Sequence, residues 1–305
     1  MTTANGTRLA AAAAAAAGIQ VGAAMVATRY AVDQAGPASL AFLRYAIGFL
    51  CLLPALAAAG QRMRFARADV LPIAVLGILQ FGVLIAVLNF GLRTVPAGRA
   101  SLIFAVFPLL TMIFAAAIGR ERLTTAKTAG VLATIGGVAL ALGDKLAATG
   151  GGTWTGELLV FTSAATGATC TVLYRPYLGR YPTLAVGAFA MAASVVFLAI
   201  PAAAEGLFTT MPRLTLGGWG AVAFIGVGSG AGYYLWLWAL AHTTPTRVAA
   251  FLGLGPVTAV FAGAALLAEP VGAMPLLGLV AVVLGLWIAH REWVPRQRMG
   301  NAPAR

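Results

Sequence analysis

Runs of about twenty apolar residues, separated by short polar breaks, occupy almost the whole chain. They fall at about 9–31, 38–59, 70–91, 99–118, 127–143, 155–174, 183–203, 215–241, 247–268 and 274–290. Each approaches the ~20 residues that a helix needs to cross a ~30 Å hydrocarbon core. The runs are continuous rather than alternating, which argues against the short strands of a barrel, the other structure that satisfies its backbone in lipid. The pattern predicts an all-α membrane protein of ten transmembrane helices. The breaks, QAGP, GQRMRFARA, RTVPAG and AEPVGAM among them, leave no room for a soluble domain. An alanine tract, Ala10 to Ala17, looks like the apolar region of a signal peptide, but apolar sequence continues to Ala31, so a retained first helix is expected.

Two runs contain near copies of one stretch. FPLLTMIFAAAIGRE (Phe107 to Glu121) and GPVTAVFAGAALLAE (Gly255 to Glu269) each carry a proline near the start and close on a glutamate, 148 residues apart. The same offset relates Gly130 to Gly278 and Gly137 to Gly285, and around Pro96 and Pro245 it is 149. An odd number of spans per half inserts the two copies upside down relative to each other. Inverted repeats let secondary transporters present one central site to each side of the membrane in turn. The expected division is a first five-helix repeat over residues 1–146 and a second over 147–305, ending in a basic tail.

Composition agrees and adds direction. Charged residues make up only 9% of the chain, where a soluble domain carries about a quarter. The net charge of +12 has no polar surface on which to form a nucleic-acid footprint, so no nucleic-acid partner is expected. Counted in alternate breaks, fourteen Lys and Arg lie on the side of the termini and four, Arg93, Arg99, Lys145 and Arg213, on the other. Positive charge collects on the cytoplasmic side, which places both termini there. Cys51 and Cys170 lie inside apolar runs and read as core.

Several chemistries find no support. No GxxxxGK[ST] loop occurs, so nucleotide-driven pumping is not expected. GVGSGAG (Gly226 to Gly232) lacks the preceding strand of a dinucleotide site, and its glycines four apart have the spacing of close helix packing. His242 and His290 sit near helix ends and no paired carboxylates lie mid-span, so neither a membrane enzyme, a metal nor another cofactor is expected.

The motifs VGAAMVATRY (Val21 to Tyr30), FLRYAIGFL (Phe42 to Leu50) and the two proline-to-glutamate segments, each followed by a Gly-rich helix, resemble the EamA-type branch of the drug/metabolite transporter superfamily. The resemblance covers residues 18–290. It implies a ten-helix carrier of the bacterial inner membrane, often exporting amino acids or related metabolites. The family usually has a tryptophan mid-way along the first helix; here the neighbourhood is IQVG, with Gln20 and Val21. The cavity is then built from helices one to four and six to nine. The fifth and tenth lie at the periphery or at a contact with a second copy in a homodimer.

Candidate cavity residues follow from polarity inside apolar runs. Arg44 offers a cation, which is costly in hydrocarbon unless it faces a cavity or a partner. Arg29, nearer its helix end, can snorkel. Gln20 and Asn89 are membrane amides that need partners. Thr162, Thr166 and Thr169 form a polar stripe whose hydroxyls either line the cavity or bond back to their own helix. Tyr233, Tyr234, Trp236 and Trp238 present aromatic faces for packing or for substrate. Pro108 and Pro256 are expected to bend their helices at matched positions and to act as gates. Glu121 and Glu269, at helix ends, are expected to pair with arginine or cap the next helix. These groups suit a small solute with a carboxylate and an apolar or aromatic side chain, such as a neutral amino acid. Export of another metabolite or drug class, or a channel- or scramblase-like activity, is the alternative.

Overall fold

A computed structural model describes residues 4–119, 125–143, 153–210, 212–242, 251 and 253–291. Among these residues there are helices and connections but no strand. In chain order the helices are α1 (Ala4–Ala35), α2 (Pro37–Ala58), α3 (Arg67–Leu92), α4 (Ala97–Ala117) and α5 (Thr125–Ala141). The second half supplies α6 (Thr155–Leu178), α7 (Thr183–Ala204), α8 (Leu216–His242), α9 (Leu254–Leu267) and α10 (Ala273–Arg291). Six of these, α1 to α4, α6 and α7, are long and apolar enough to cross a membrane by length and composition, and α5, α9 and α10 contain shorter apolar helices. Residues 247–250 and 252 of the ninth apolar run and Glu121 lie outside the described residues.

The tightest reversal shows how the chain folds back. Gly36, at φ 83°, takes a conformation that costs a side chain dearly, and Pro37 then opens α2 where its missing N–H needs no partner.

Close packing joins one half to the other. α1 lies on α8 and α9, and its counterpart α6 lies on α3 and α4. α2 packs on α7 and α8, while α7 packs on α2 and α3. The remaining pairs, α4 with α9 and α5 with α10, join each helix to its own counterpart. Exchanging the halves maps this contact pattern onto itself, so neither half has a core without the other.

Glycines bring the helices this close. A methyl added at Gly137 would come within 2.7 Å of the Val282 nitrogen, and one at Gly278 within 2.5 Å of the Gly137 oxygen. One at Gly285 would come within 2.8 Å of the Gly130 oxygen. Gly137 thus meets Gly278 and Gly130 meets Gly285, a crossing of α5 and α10 in which repeat-related residues exchange roles. The GVGSGAG segment of α8 uses both its faces: Gly226 and Gly230 admit Ile47 and the Gly48 backbone of α2, and Gly228 and Gly232 admit the side chain of Gln20.

Candidate functional site

A break in α4 and the start of α9 meet on one cavity. α4 is helical over Ala97–Phe104, turns at Ala105 and Val106, and resumes over Phe107–Ala117. In the second half Gly253 is a turn, and α9 starts at Leu254. Pro108 and Pro256 therefore each sit in the first turn of a fresh helical segment, where a missing N–H costs nothing. α4 breaks at Ala105 and Val106, in the turn ahead of Pro108, where the proline's missing N–H and its clash with the carbonyl four residues back interrupt a helix. The structure does bring the two prolines together, on a cavity of about 50 Å³ that Val21 and Met25 of α1 also line. That is room for a few waters.

An aromatic cluster lies among α2, α3 and α8. Phe81 meets Tyr45 edge-on with centroids 5.3 Å apart, and Tyr233 at 5.9 Å. The Tyr233 ring rests on Gly187 of α7, where a methyl would clash with it. Phe81 owes its position to a π-helical turn, Ile78–Val83, inside α3. Such turns add a residue per turn and recur at functional sites. The same turn carries Gln80, whose buried Oε1 has no hydrogen-bond partner among the described residues. Tyr174 on α6, a member of the same core cluster, likewise has an unpartnered buried hydroxyl.

Arg44 stands beside the cluster. Its Nε donates to Ser229 Oγ of α8 at 2.7 Å, and its guanidinium lies 5.5 Å from the Tyr45 ring centroid. Gln20 is held by α8 with Nε2 buried and unpartnered among the described residues. Asn89 is 1% exposed; its Nδ2 donates to the Pro37 carbonyl at 2.9 Å and its Oδ1 is unpartnered among the described residues. Thr166 and Thr169 donate to Thr162 and Ala165 of their own helix, both at 2.9 Å. Tyr233 and Tyr234 part company: Tyr233 packs against the core, while Tyr234 is 44% exposed on the outside of the bundle. Trp236 packs against the cluster of Ala13, Ala14 and Ala239. The Trp238 side chain lies outside the described residues.

Both ends of the bundle are tied by polar groups. At the Asp33 end, Glu205 after α7 accepts the amides of Ala38 at 3.0 Å and Ser39 at 2.7 Å, capping α2. Glu269 after α9 accepts the amides of Ala97 at 2.9 Å and Gly98 at 3.4 Å, capping α4. Each carboxylate sits at a helix N-terminus, where the dipole favours it. The helix capped by Glu269 is therefore a partner from the other half rather than the next in the chain. Asp33 pairs with Arg93 at 3.1 Å and Arg29 at 3.5 Å, which accounts for Arg29 without a substrate. At the opposite end, buried Asp69 meets Arg180 at 3.0 Å and accepts the Tyr181 hydroxyl at 2.6 Å.

Comparison with known proteins decides what such a two-fold helical bundle is. The model of the EamA-like transporter family matches residues 8–143 and again 154–290, one copy in each half. The chain belongs to the EamA-like transporter family. A protein of Streptantibioticus cattleyicolor described as a probable terminal-alkyne amino-acid exporter is 30% identical over 92% of both chains. An uncharacterized transporter of Archaeoglobus fulgidus is 28% identical over 89% of this chain and 95% of its own. A solved crystal structure superposes with a TM-score of 0.66 at 21% identity, covering 91% of this chain and 96% of that one, a likeness of fold.

As a multi-pass EamA-like transporter, the protein carries features that sequence reading passed over. Gln80 and Phe81 lay in an apolar run with no sign of a π turn. Asp33, Asp69 and Glu205 stand in loops or at helix edges with no sequence motif around them. Apart from the Arg29–Asp33 pair, their partners are 60 to 167 residues away, beyond any local pattern.

Proposed function

We propose that this EamA-like transporter exports neutral amino acids, aromatic ones among them, by alternating access through ten spans of an inner membrane, with both termini cytoplasmic. One observation carries the substrate class: the Arg44 guanidinium borders the Tyr45–Phe81–Tyr233 aromatic cluster. A fixed cation beside flat apolar faces suits a carboxylate attached to an apolar or aromatic side chain. Gln80 Oε1 and the Tyr174 hydroxyl supply buried acceptors for the ammonium end and Gln20 Nε2 a buried donor for the carboxylate, and a polar group left unpartnered inside a protein costs about 1–3 kcal/mol. The described acids, Asp33, Asp69, Glu157, Glu205 and Glu269, all lie at helix ends, so a cationic drug would find no carboxylate mid-bundle to pair with. The name borne by the Streptantibioticus cattleyicolor relative supports the same class.

The halves' mutual packing supports the alternating-access reading. The cavity between Pro108 and Pro256 is too small for an amino acid, so the bundle must rearrange around it for solute to pass. The break in α4 and the start of α9 give repeat-related places for that change. The two halves are taken as residues 1–146 and 147–305. Flux rests on the solute gradient or on exchange, since proton relays use buried mid-membrane carboxylates.

The test is an efflux panel in proteoliposomes loaded with labelled phenylalanine, methionine, threonine, an organic cation or inorganic phosphate. Saturable efflux of the amino acids with neither control supports the reading. Wild-type efflux confined to the cation or phosphate would overturn it.

A further inference from the structure

We propose that the cavity at the Asp33 end is a second solute site, which holds the zwitterionic head group of an amino acid at the mouth of the pathway. The inference rests on the amino-acid reading above but concerns residues that reading does not use. The cavity measures about 490 Å³, within the 300–1,000 Å³ range of ligand pockets, and is open on one side. Asp33, Ser39, Arg93, Glu205, Thr210 and Arg213 are among its lining residues.

The charges of this lining are unequally committed. Glu205 gives both oxygens to the α2 amides, so its charge is matched by the helix terminus. Asp33 pairs with Arg93 through one oxygen and with Arg29 through the other, yet its side chain remains 56% exposed and open to a further donor. Arg213 is exposed and forms no ion pair among the described residues. Ser39 is 1% exposed, and its hydroxyl has no hydrogen-bond partner among the described residues. The site thus offers an uncommitted cation and a buried hydroxyl, with an accessible carboxylate on the same wall.

A simple anion would meet Asp33, and a simple cation would meet Arg213. A ligand carrying both charges a short distance apart meets both with opposite sign. An α-amino acid has that form: its carboxylate faces Arg213 and the Ser39 hydroxyl, and its ammonium faces Asp33. The side chain projects through the open face, so the site reads the head group and is indifferent to the rest. A phosphatidylethanolamine head group shares this chemistry, and the test separates the two sources.

Thr210→Cys in proteoliposomes of phosphatidylcholine gives a readout independent of transport. Membrane-impermeant maleimide should label this cysteine, and external phenylalanine or alanine should protect it, while phenethylamine, which lacks the carboxylate, should not. Adding Arg213→Gln should raise the protecting concentration about fivefold, the scale of a solvent-accessible charged contact. Equal protection by phenethylamine, no protection by any amino acid, or protection by phosphatidylethanolamine alone would each overturn the proposal. Protection without amino-acid efflux would instead sink the export reading and leave this site standing.

Discussion

The Glu269 carboxylate accepts the Ala97 amide at 2.9 Å, tying the end of one helix to the start of its counterpart in the other repeat. Glu205 makes the equivalent bond to α2. Both bonds cross between the halves at the same end of the bundle. Glu269→Ala should lower stability by about 1–2 kcal/mol, the cost of losing a charged cap. Thermal unfolding in detergent should show the loss, and Glu269→Gln should recover part of it. An unchanged midpoint for both Glu269→Ala and Glu205→Ala would mean the caps carry no weight.

Neighbouring glycines of α5 should behave in opposite ways. A methyl at Gly137 meets α10 backbone, whereas one at Gly136 meets nothing within 4 Å. Gly137→Ala should therefore cost about 1–3 kcal/mol through overpacking. Gly136→Ala should be neutral or gain up to about 1 kcal/mol from helix propensity. Folded yield and unfolding midpoint of the two variants, compared side by side, check this.

Gln80 should show the trade-off expected of a functional polar group in a core. Its buried Oε1 lacks a partner among the described residues, so Gln80→Met removes a cost of about 1–3 kcal/mol at nearly constant volume. The variant should unfold at a higher temperature than the wild type, yet transport phenylalanine at least about tenfold more slowly. A variant that is stabilised but transports normally would remove Gln80 from the solute path.

The fold class and the two-repeat plan were legible because lipid imposes both. Backbone groups that cannot meet water must close into helices, and repeated glycines mark where two helices touch; Gly130, Gly137, Gly278 and Gly285 stood out for that reason and do meet. The site was less legible. Adjacent Tyr233 and Tyr234 looked alike in a run of aromatics, yet helical geometry sends one to the core and the other outward. The π turn that aims Phe81 leaves no mark in ILQFGV, and the caps by Glu205 and Glu269 depend on tertiary neighbours. Pro108 was read as a bend, and α4 turns at Ala105 and Val106 just ahead of it.

Counterflow measures the central claim most directly. Proteoliposomes loaded with unlabelled phenylalanine are placed in trace labelled phenylalanine, with a protonophore present. An alternating-access amino-acid carrier should accumulate label transiently above equilibrium, with a saturable dependence on external concentration. Label that only equilibrates, at a rate linear in concentration and unaffected by internal phenylalanine, would contradict the account and point to a pore.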